Sequence, residues 1–242
     1  FHYLSLAANQ GEIEAQLYLG DIFINRIFGI RDVNKAIYYY GLAANQNNAD
    51  ALSYLGDIYF HKEFGIQDVN KGLSYYNQAA NLKSVIALHQ LGNIYYAGLN
   101  VKRDINKAIE YYTLASNLNS ATSQCQLGMI YEKGVFIEKD MKKAIYYYTL
   151  AADQNSSIAQ YQLGLIYEEG QYVKLDLQKA IHYYELASKF NMDAQFHLGR
   201  IYHLIEIDYN KAIYYYKLAV NQNHQQAQFN LASIYYNIRD YQ

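Results

Sequence analysis

Apolar residues fall along this chain in two alternating helical patterns. In the first, Ala15, Leu19, Ile22 and Phe23 stand at i, i+4, i+7 and i+8, which makes a single stripe on a helix of 3.6 residues per turn. In the second, Ala36, Tyr40 and Ala43 are spaced by four and three, a narrower stripe on a second helix. Polar segments rich in Asn and Gln, such as Asn45 to Asn48 and Asn221 to Gln226, separate one pair from the next and read as turns. An Asp precedes each second helix. Asp32, Asp68, Asp104, Asp140, Asp176 and Asp208 are predicted N-caps, accepting from the otherwise unpaired amides of the first turn. The pattern predicts an all-α chain of helix pairs, each a helix A followed by a helix B.

The pairs are copies of one unit. The glycines of a recurring Leu-Gly-x-Ile-Tyr core, Gly20, Gly56, Gly92, Gly128 and Gly164, stand 36 residues apart; Gly199 follows after 35, and Ala232 takes the seventh place after 33. A second marker, Asp-x-x-Lys-Ala, places Lys35, Lys71, Lys107, Lys143, Lys179 and Lys211 before a Tyr pair each time, with Gly72 replacing the Ala in the second copy. A fixed period of this length is the signature of a solenoid. The reading is one array over residues 1–242: a half repeat at 1–11, full repeats at 12–47, 48–83, 84–119, 120–155, 156–190 and 191–223, and a half repeat at 224–242. Phe1 to Ala8 aligns with Ile181 to Ser188, inside a helix B, and Asp240 to Gln242 aligns with Asp208 to Asn210, where another helix B is due. Truncation of a longer array at both ends is the expectation.

Glycine in a helix interior costs roughly 1 kcal/mol relative to alanine, so its recurrence in helix A needs a cause. Ala232 in the seventh copy argues against a positive φ, and the position is expected to require smallness where helix B comes close. The 30 tyrosines recur in register, as in Tyr59, Tyr95, Tyr131 and Tyr167, or Tyr76, Tyr112, Tyr148 and Tyr184. That register describes packed rings with hydroxyls at a polar edge. Tyr38, Tyr146 and Tyr214 read as more exposed additions.

No uninterrupted apolar run approaches the roughly 20 residues of a membrane span, so no membrane insertion is expected. A net charge of −2 with both signs interspersed offers no basic stripe to a phosphate backbone, and nucleic acid is not expected as a partner. The one cysteine, Cys125, excludes an internal disulfide and is expected as a reduced, partly accessible thiol. Histidines 2, 61, 89, 182, 197, 203 and 224 are scattered without the spacing of a metal site, and neither a nucleophile elbow nor a phosphate or dinucleotide loop appears. The pairs Glu132 with Lys133 and Glu168 with Glu169, at the ends of A helices, read as a solvated rim. No catalytic residue, metal or cofactor is expected, and the compartment is not encoded in what the chain shows.

Leu-Gly-x-x-Tyr followed by Ala-x-x-x-Tyr is similar to the tetratricopeptide pattern. The Trp of that pattern is replaced here by Gln16, Leu52, Leu88 or Gln124, its Pro is absent, and the period is 36. With Asp-x-x-Lys-Ala and Tyr-Tyr-x-x-Ala-Ala, the chain resembles the Sel1-like repeat family over essentially its whole length. The resemblance implies a right-handed α/α superhelical solenoid and a non-enzymatic scaffold or adaptor that binds a protein or peptide. Cysteine-rich relatives have been described as β-lactamase-like, but the paired cysteines are absent here. An alternative is the regulatory or targeting arm of a longer enzyme such as a protein kinase.

Two variable rows stand about 160–200° around helix A from its constant Leu. One holds Leu17, Ser53, His89, Cys125, Tyr161, Phe196 and Phe229; the other holds Asp21, Asp57, Asn93, Met129, Leu165, Arg200 and Ser233. By resemblance to the tetratricopeptide pattern both are assigned to a concave groove that binds a peptide or partner helix, with apolar anchors towards the C-terminal half and the partner's basic end towards Asp21 and Asp57. Variation between copies suits a recognition surface and suits neutral drift equally.

Because array stability is a sum of local and neighbour terms, deleting Gly128 to Leu163, one period of 36, should leave a shorter helical array by circular dichroism. Deleting half that length should abolish cooperative melting; equal behaviour of the two deletions would refute the period.

Overall fold

The computed structural model describes residues 2–25 and 31–240, with side chains through 237. Phe1, Tyr241 and Gln242, used in aligning the chain ends, lie outside them. Among the described residues the structure is all-α. Fourteen α-helices are present: α1 (His2–Asn9), α2 (Ile13–Ile24), α3 (Val33–Ala44), α4 (Ala49–Phe60), α5 (Val69–Asn81), α6 (Val85–Ala97), α7 (Ile105–Asn117), α8 (Ala121–Lys133), α9 (Met141–Asp153), α10 (Ser157–Glu169), α11 (Leu177–Ala187), α12 (Met192–Leu204), α13 (Tyr209–Val220) and α14 (Gln225–Asp240). Even numbers are A helices and odd numbers B helices. The chain forms two compact units, Phe1–Ser123 and Gln124–Gln242, with the division inside the first turn of α8.

Each B helix starts where its Asp caps it. The carboxylates of Asp32, Asp68, Asp104, Asp140, Asp176 and Asp208 accept the amides of Lys35, Lys71, Lys107, Lys143, Lys179 and Lys211, each at 3.0 Å. The same aspartates turn the chain. Their own amides donate to the carbonyls of Phe23, Tyr59, Tyr95, Tyr131, Tyr167 and Tyr202 at 2.8–3.0 Å, which folds helix B back beside helix A. The Lys of the marker has a packing role: its ammonium lies 4.0–5.1 Å from the ring centroid of that same aromatic residue. The same ring is stacked, at 5.7–5.9 Å, on the first Tyr of the following pair. Cap, turn and cation–aromatic contact are thus all local to one helix pair. The polar turns after the B helices are built as the composition predicts, with Asn47, Asn119, Asn155 and Asn223 left-handed at φ of 57–64°, a region Asn enters more readily than most residues.

The second Tyr of each pair holds the two helices together. Tyr40, Tyr76, Tyr112, Tyr148, Tyr184 and Tyr216 are among the largest fully buried side chains, and each lies flat on the glycine of the preceding A helix. A Cβ at Gly20, Gly56, Gly92, Gly128, Gly164 or Gly199 would come within 2.2–2.6 Å of ring carbons. None of these glycines has a positive φ. The requirement is for smallness, as the sequence implies, and the object pressed against the glycine is an aromatic ring. Gly72 is small for a related reason: a Cβ there would meet the backbone nitrogen of Phe60 at 2.8 Å. Ala232, the copy without glycine, is exposed. Around these contacts Leu19, Leu55 and Leu91 in the first unit and Leu163 and Leu198 in the second complete the cores. Tyr38, Tyr146 and Tyr214 point outward, 56–58% exposed.

Two outcomes are expected from this core. Gly164→Ala should destabilise the chain by about 1–2 kcal/mol in denaturant melts, overpacking of about 1–3 kcal/mol exceeding the roughly 1 kcal/mol gained in helix propensity; the loss should vanish in a Tyr184→Ala background. Burial raises the phenol pKa of all six buried tyrosines, reinforced at Tyr40, Tyr76, Tyr148 and Tyr184 by a carboxylate that accepts the hydroxyl. The unfolded chain releases these protons near pH 10 and the folded chain retains them. Stability should therefore fall as pH rises beyond about 10, and part of the tyrosinate absorbance should appear only together with loss of the helical signal.

Candidate partner-binding faces

The buried tyrosines determine what stands in the row after the glycine. Each hydroxyl needs a partner, and in the first unit Asp21, Asp57 and Asn93 accept from Tyr40, Tyr76 and Tyr112 at 2.7, 2.5 and 2.7 Å. In the second unit that position is apolar, Met129 or Leu165, and the acceptor is three residues further on: Glu132 takes the Tyr148 hydroxyl and Glu168 that of Tyr184, both at 2.6 Å. Residues three apart share a helix face, so either place reaches the same hydroxyl. Glu132 and Glu168 consequently do not form the solvated rim expected of them; each is half-buried against a tyrosine, while Lys133 and Glu169 are exposed. At Tyr216 the arrangement changes again, and its oxygen accepts from Asn230 Nδ2 at 3.1 Å. Arg200, which occupies the row there, pairs with Glu168 instead.

Glu168 is the electrostatic centre of the second unit. Its carboxylate accepts from Tyr184, from His197 Nδ1 at 2.9 Å, and from the Arg200 guanidinium. Burial alone pushes such a carboxyl up, but the bonds from His197 and Tyr184 and the charges of His197 and Arg200 prevail and hold it at about 2. In the sequence His197 stands as one of seven scattered histidines. The signal available was its position three before Arg200, at a spacing that puts both over one carboxylate.

The row two before the constant Leu faces the start of the next A helix. Ser53 is fully buried, with its hydroxyl 2.8 Å from that of Ser84, the N-cap of α6. Cys125 is buried with Sγ 3.1 Å from the hydroxyl of Ser156, the N-cap of α10. These two side chains do not reach a surface. For Cys125 this corrects the expected partly accessible thiol: burial also pushes its pKa up, which leaves it an inert packing group. His89 Nδ1 lies 2.9 Å from the Ser123 hydroxyl, and burial lowers its pKa. Leu17 is half-buried against the first unit's core, and Tyr161 packs its ring on Tyr184 and His197. Phe196 stacks on His224 at 4.5 Å, and His224 in turn accepts the Ala227 amide at the start of α14.

Two places bring row residues together at a surface. In the second unit, Phe196, Arg200 and Phe229 line a shallow depression of about 510 Å³ with Gln225, Gln226 and Asn230. Phe229 is 76% exposed. Leu165 stands half-buried beside that unit's core, and Ser233 and Met129 are also half-buried. In the first unit, Asp21 and Asp57 share a cavity of about 300 Å³. Among the described residues no three His, Cys, Asp or Glu side chains are grouped to hold a metal ion, and no helix is long and apolar enough to cross a membrane.

The Sel1 repeat family model matches residues 1–12, 13–48, 49–84, 85–120, 121–156, 157–189, 193–224 and 225–237. No curated protein matches the chain in sequence. Among solved structures, a Sel1 repeat protein from Oxalobacter formigenes is 26% identical at a TM-score of 0.85, covering 96% of this chain and 69% of that one. A protective antigen present in uropathogenic Escherichia coli strains, displaying an SLR fold, is 28% identical at a TM-score of 0.77 over 96% of this chain; the chain spans only 50% of that protein's length. The immunity protein Pa5087 from Pseudomonas aeruginosa shares the fold at 20% identity and a TM-score of 0.52, covering 87% of this chain and 81% of that one. Sel1-repeat proteins generally act as protein-interaction scaffolds and are typically non-catalytic. With the family model covering nearly every residue and the helix pairs closed by one recurrent Asp, Lys and Tyr arrangement, the chain belongs to the Sel1 repeat family.

Proposed function

We propose that this chain is a non-enzymatic scaffold that binds a peptide or partner helix on the A-helix face of its second unit, with Phe229 as the principal anchor. The observation that carries the reading is the exposure of Phe229, 76%, beside Phe196 and the half-exposed Arg200 at one depression. Exposed aromatic and arginine side chains grouped in this way are the usual anchors of an interface. Tyr161 in one row, and Leu165 and Met129 in the other, extend the apolar character along the same unit. The family's general role supports the reading, and the charge balance of the chain supports a protein in preference to nucleic acid.

The two phenylalanines have different roles. Phe196 packs against the second unit's core and stacks on the histidine that starts α14, so Phe196→Ala should lower stability by about 3 kcal/mol or more. Phe229→Ala should leave the melting temperature unchanged. Peptides selected on the intact chain from a displayed random library should lose about 1–2 kcal/mol of affinity for Phe229→Ala. Retained affinity in that variant, or failure of the library to enrich any sequence, would refute this face as the binding site.

A further inference from the structure

In three successive copies of the first unit, Asp21, Asp57 and Asn93 perform one task, accepting a buried tyrosine hydroxyl at 2.5–2.7 Å. The amide of Asn93 serves as well as the two carboxylates, so the task needs an acceptor and does not need a charge. A half-buried carboxylate costs more than a half-buried amide unless a cation offsets it. At Glu168 in the second unit that cation is present: the carboxylate accepts the Tyr184 hydroxyl and carries Arg200 on its other oxygen. Among the described residues, the ion pairing of Asp21 and Asp57 amounts to His61, whose Nε2 lies 4.0 Å from Asp57. The consequence differs accordingly. Glu168 is held down at about 2, whereas burial pushes the Asp57 carboxyl up against its bonds from Tyr76 and Gln90.

Both aspartates line the first unit's cavity of about 300 Å³, whose walls include Tyr40, Tyr54, Phe64 and Glu63. Tyr54 registers the field inside, since burial and then the charges of Asp21, Asp50 and Asp57 raise its pKa. Among the described residues, the cation at the wall is Arg31, which lies 4.9 Å over the Phe64 ring with its Nε buried and without a hydrogen-bond partner, and which pairs with neither aspartate. Among the described lining residues, three carboxylates, Asp21, Asp57 and Glu63, stand against one guanidinium, a negative balance. Aromatic walls and paired carboxylates together are the chemistry that holds an alkyl cation, by charge and by contact with ring faces.

We infer that this cavity receives an arginine or lysine side chain of a partner polypeptide, its cation on Asp21 and Asp57 and its stem against the aromatic walls. The occupant does for Asp57 what Arg200 does for Glu168. This inference rests on the reading that the chain binds polypeptide, and it concerns a separate place in the first unit.

The test is an NMR titration of the isotope-labelled full chain with N-acetyl-arginine methylamide, and with the uncharged citrulline analogue as control. The arginine probe should shift the resonances of Asp21, Tyr54 and Asp57 saturably, and the citrulline probe should bind at least about tenfold more weakly. Asp57→Asn, which reproduces the side chain at Asn93, should keep the helical signal and lose about tenfold in affinity for the arginine probe. Should Asp57→Asn lose helix, Asp21→Asn replaces it. Loss of helix in both would overturn the premise that a neutral acceptor suffices. Equal binding of the two probes, or unchanged binding in the folded variant, would overturn the site. Because the probe is a single residue, its binding is read independently of the peptide selection on Phe229: a positive probe with a failed selection retains the cavity and removes the Phe229 face, and the converse removes only the cavity.

Discussion

Everything in this chain depends on an aromatic ring laid on a helix that has no side chain beneath it. Burying a tyrosine ring is worth on the order of 3 kcal/mol, and the glycine that admits it costs about 1 kcal/mol. The exchange is favourable only if the hydroxyl also finds a partner, since an unsatisfied buried group costs about 1–3 kcal/mol. One contact therefore imposes three conditions in each of six copies: glycine on helix A, tyrosine on helix B, and an acceptor or donor within reach of the ring's tip. The small alanines at Ala36, Ala108, Ala144, Ala180 and Ala212, all fully buried, follow from the same closeness of the two helices.

The third condition can be met in more than one way, and that freedom differentiates the two units. With the acceptor directly after the glycine, the first unit presents Asp21, Asp57 and Asn93 there. With the acceptor moved to Glu132 and Glu168, the second unit is free to place Met129 and Leu165 at the vacated position. The same packing requirement thus yields one face rich in carboxylates and another that is apolar and aromatic. The remaining markers are local devices, cap, turn and Lys–aromatic contact, all made within one pair. Contacts so close in sequence are what let such arrays fold repeat by repeat.

Period, helix pairs, caps and core were legible in the sequence because each is a property of a single repeat, copied. The Asp caps, the buried Leu and Ala stripe and the smallness required at the glycine follow from spacing and composition alone, and the outward Tyr38, Tyr146 and Tyr214 follow from their place beside a stripe already filled. The tertiary structure decided the fate of the variable rows. Helical periodicity gives the direction of a side chain about its own axis, and it is silent on what the next repeat brings to that side. Hence Ser53 and Cys125, placed on an open face by helical angle and by resemblance, are covered by the N-terminal turns of α6 and α10, while Phe229 at the same angle is exposed and Phe196 is half-buried against His224. Glu132 and Glu168, read as solvated, were drawn inward by hydroxyls 16 residues further along the chain. The need for an acceptor is written in the tyrosine; which residue supplies it is settled only when two helices meet, because positions one and four after the glycine point at the same place in space.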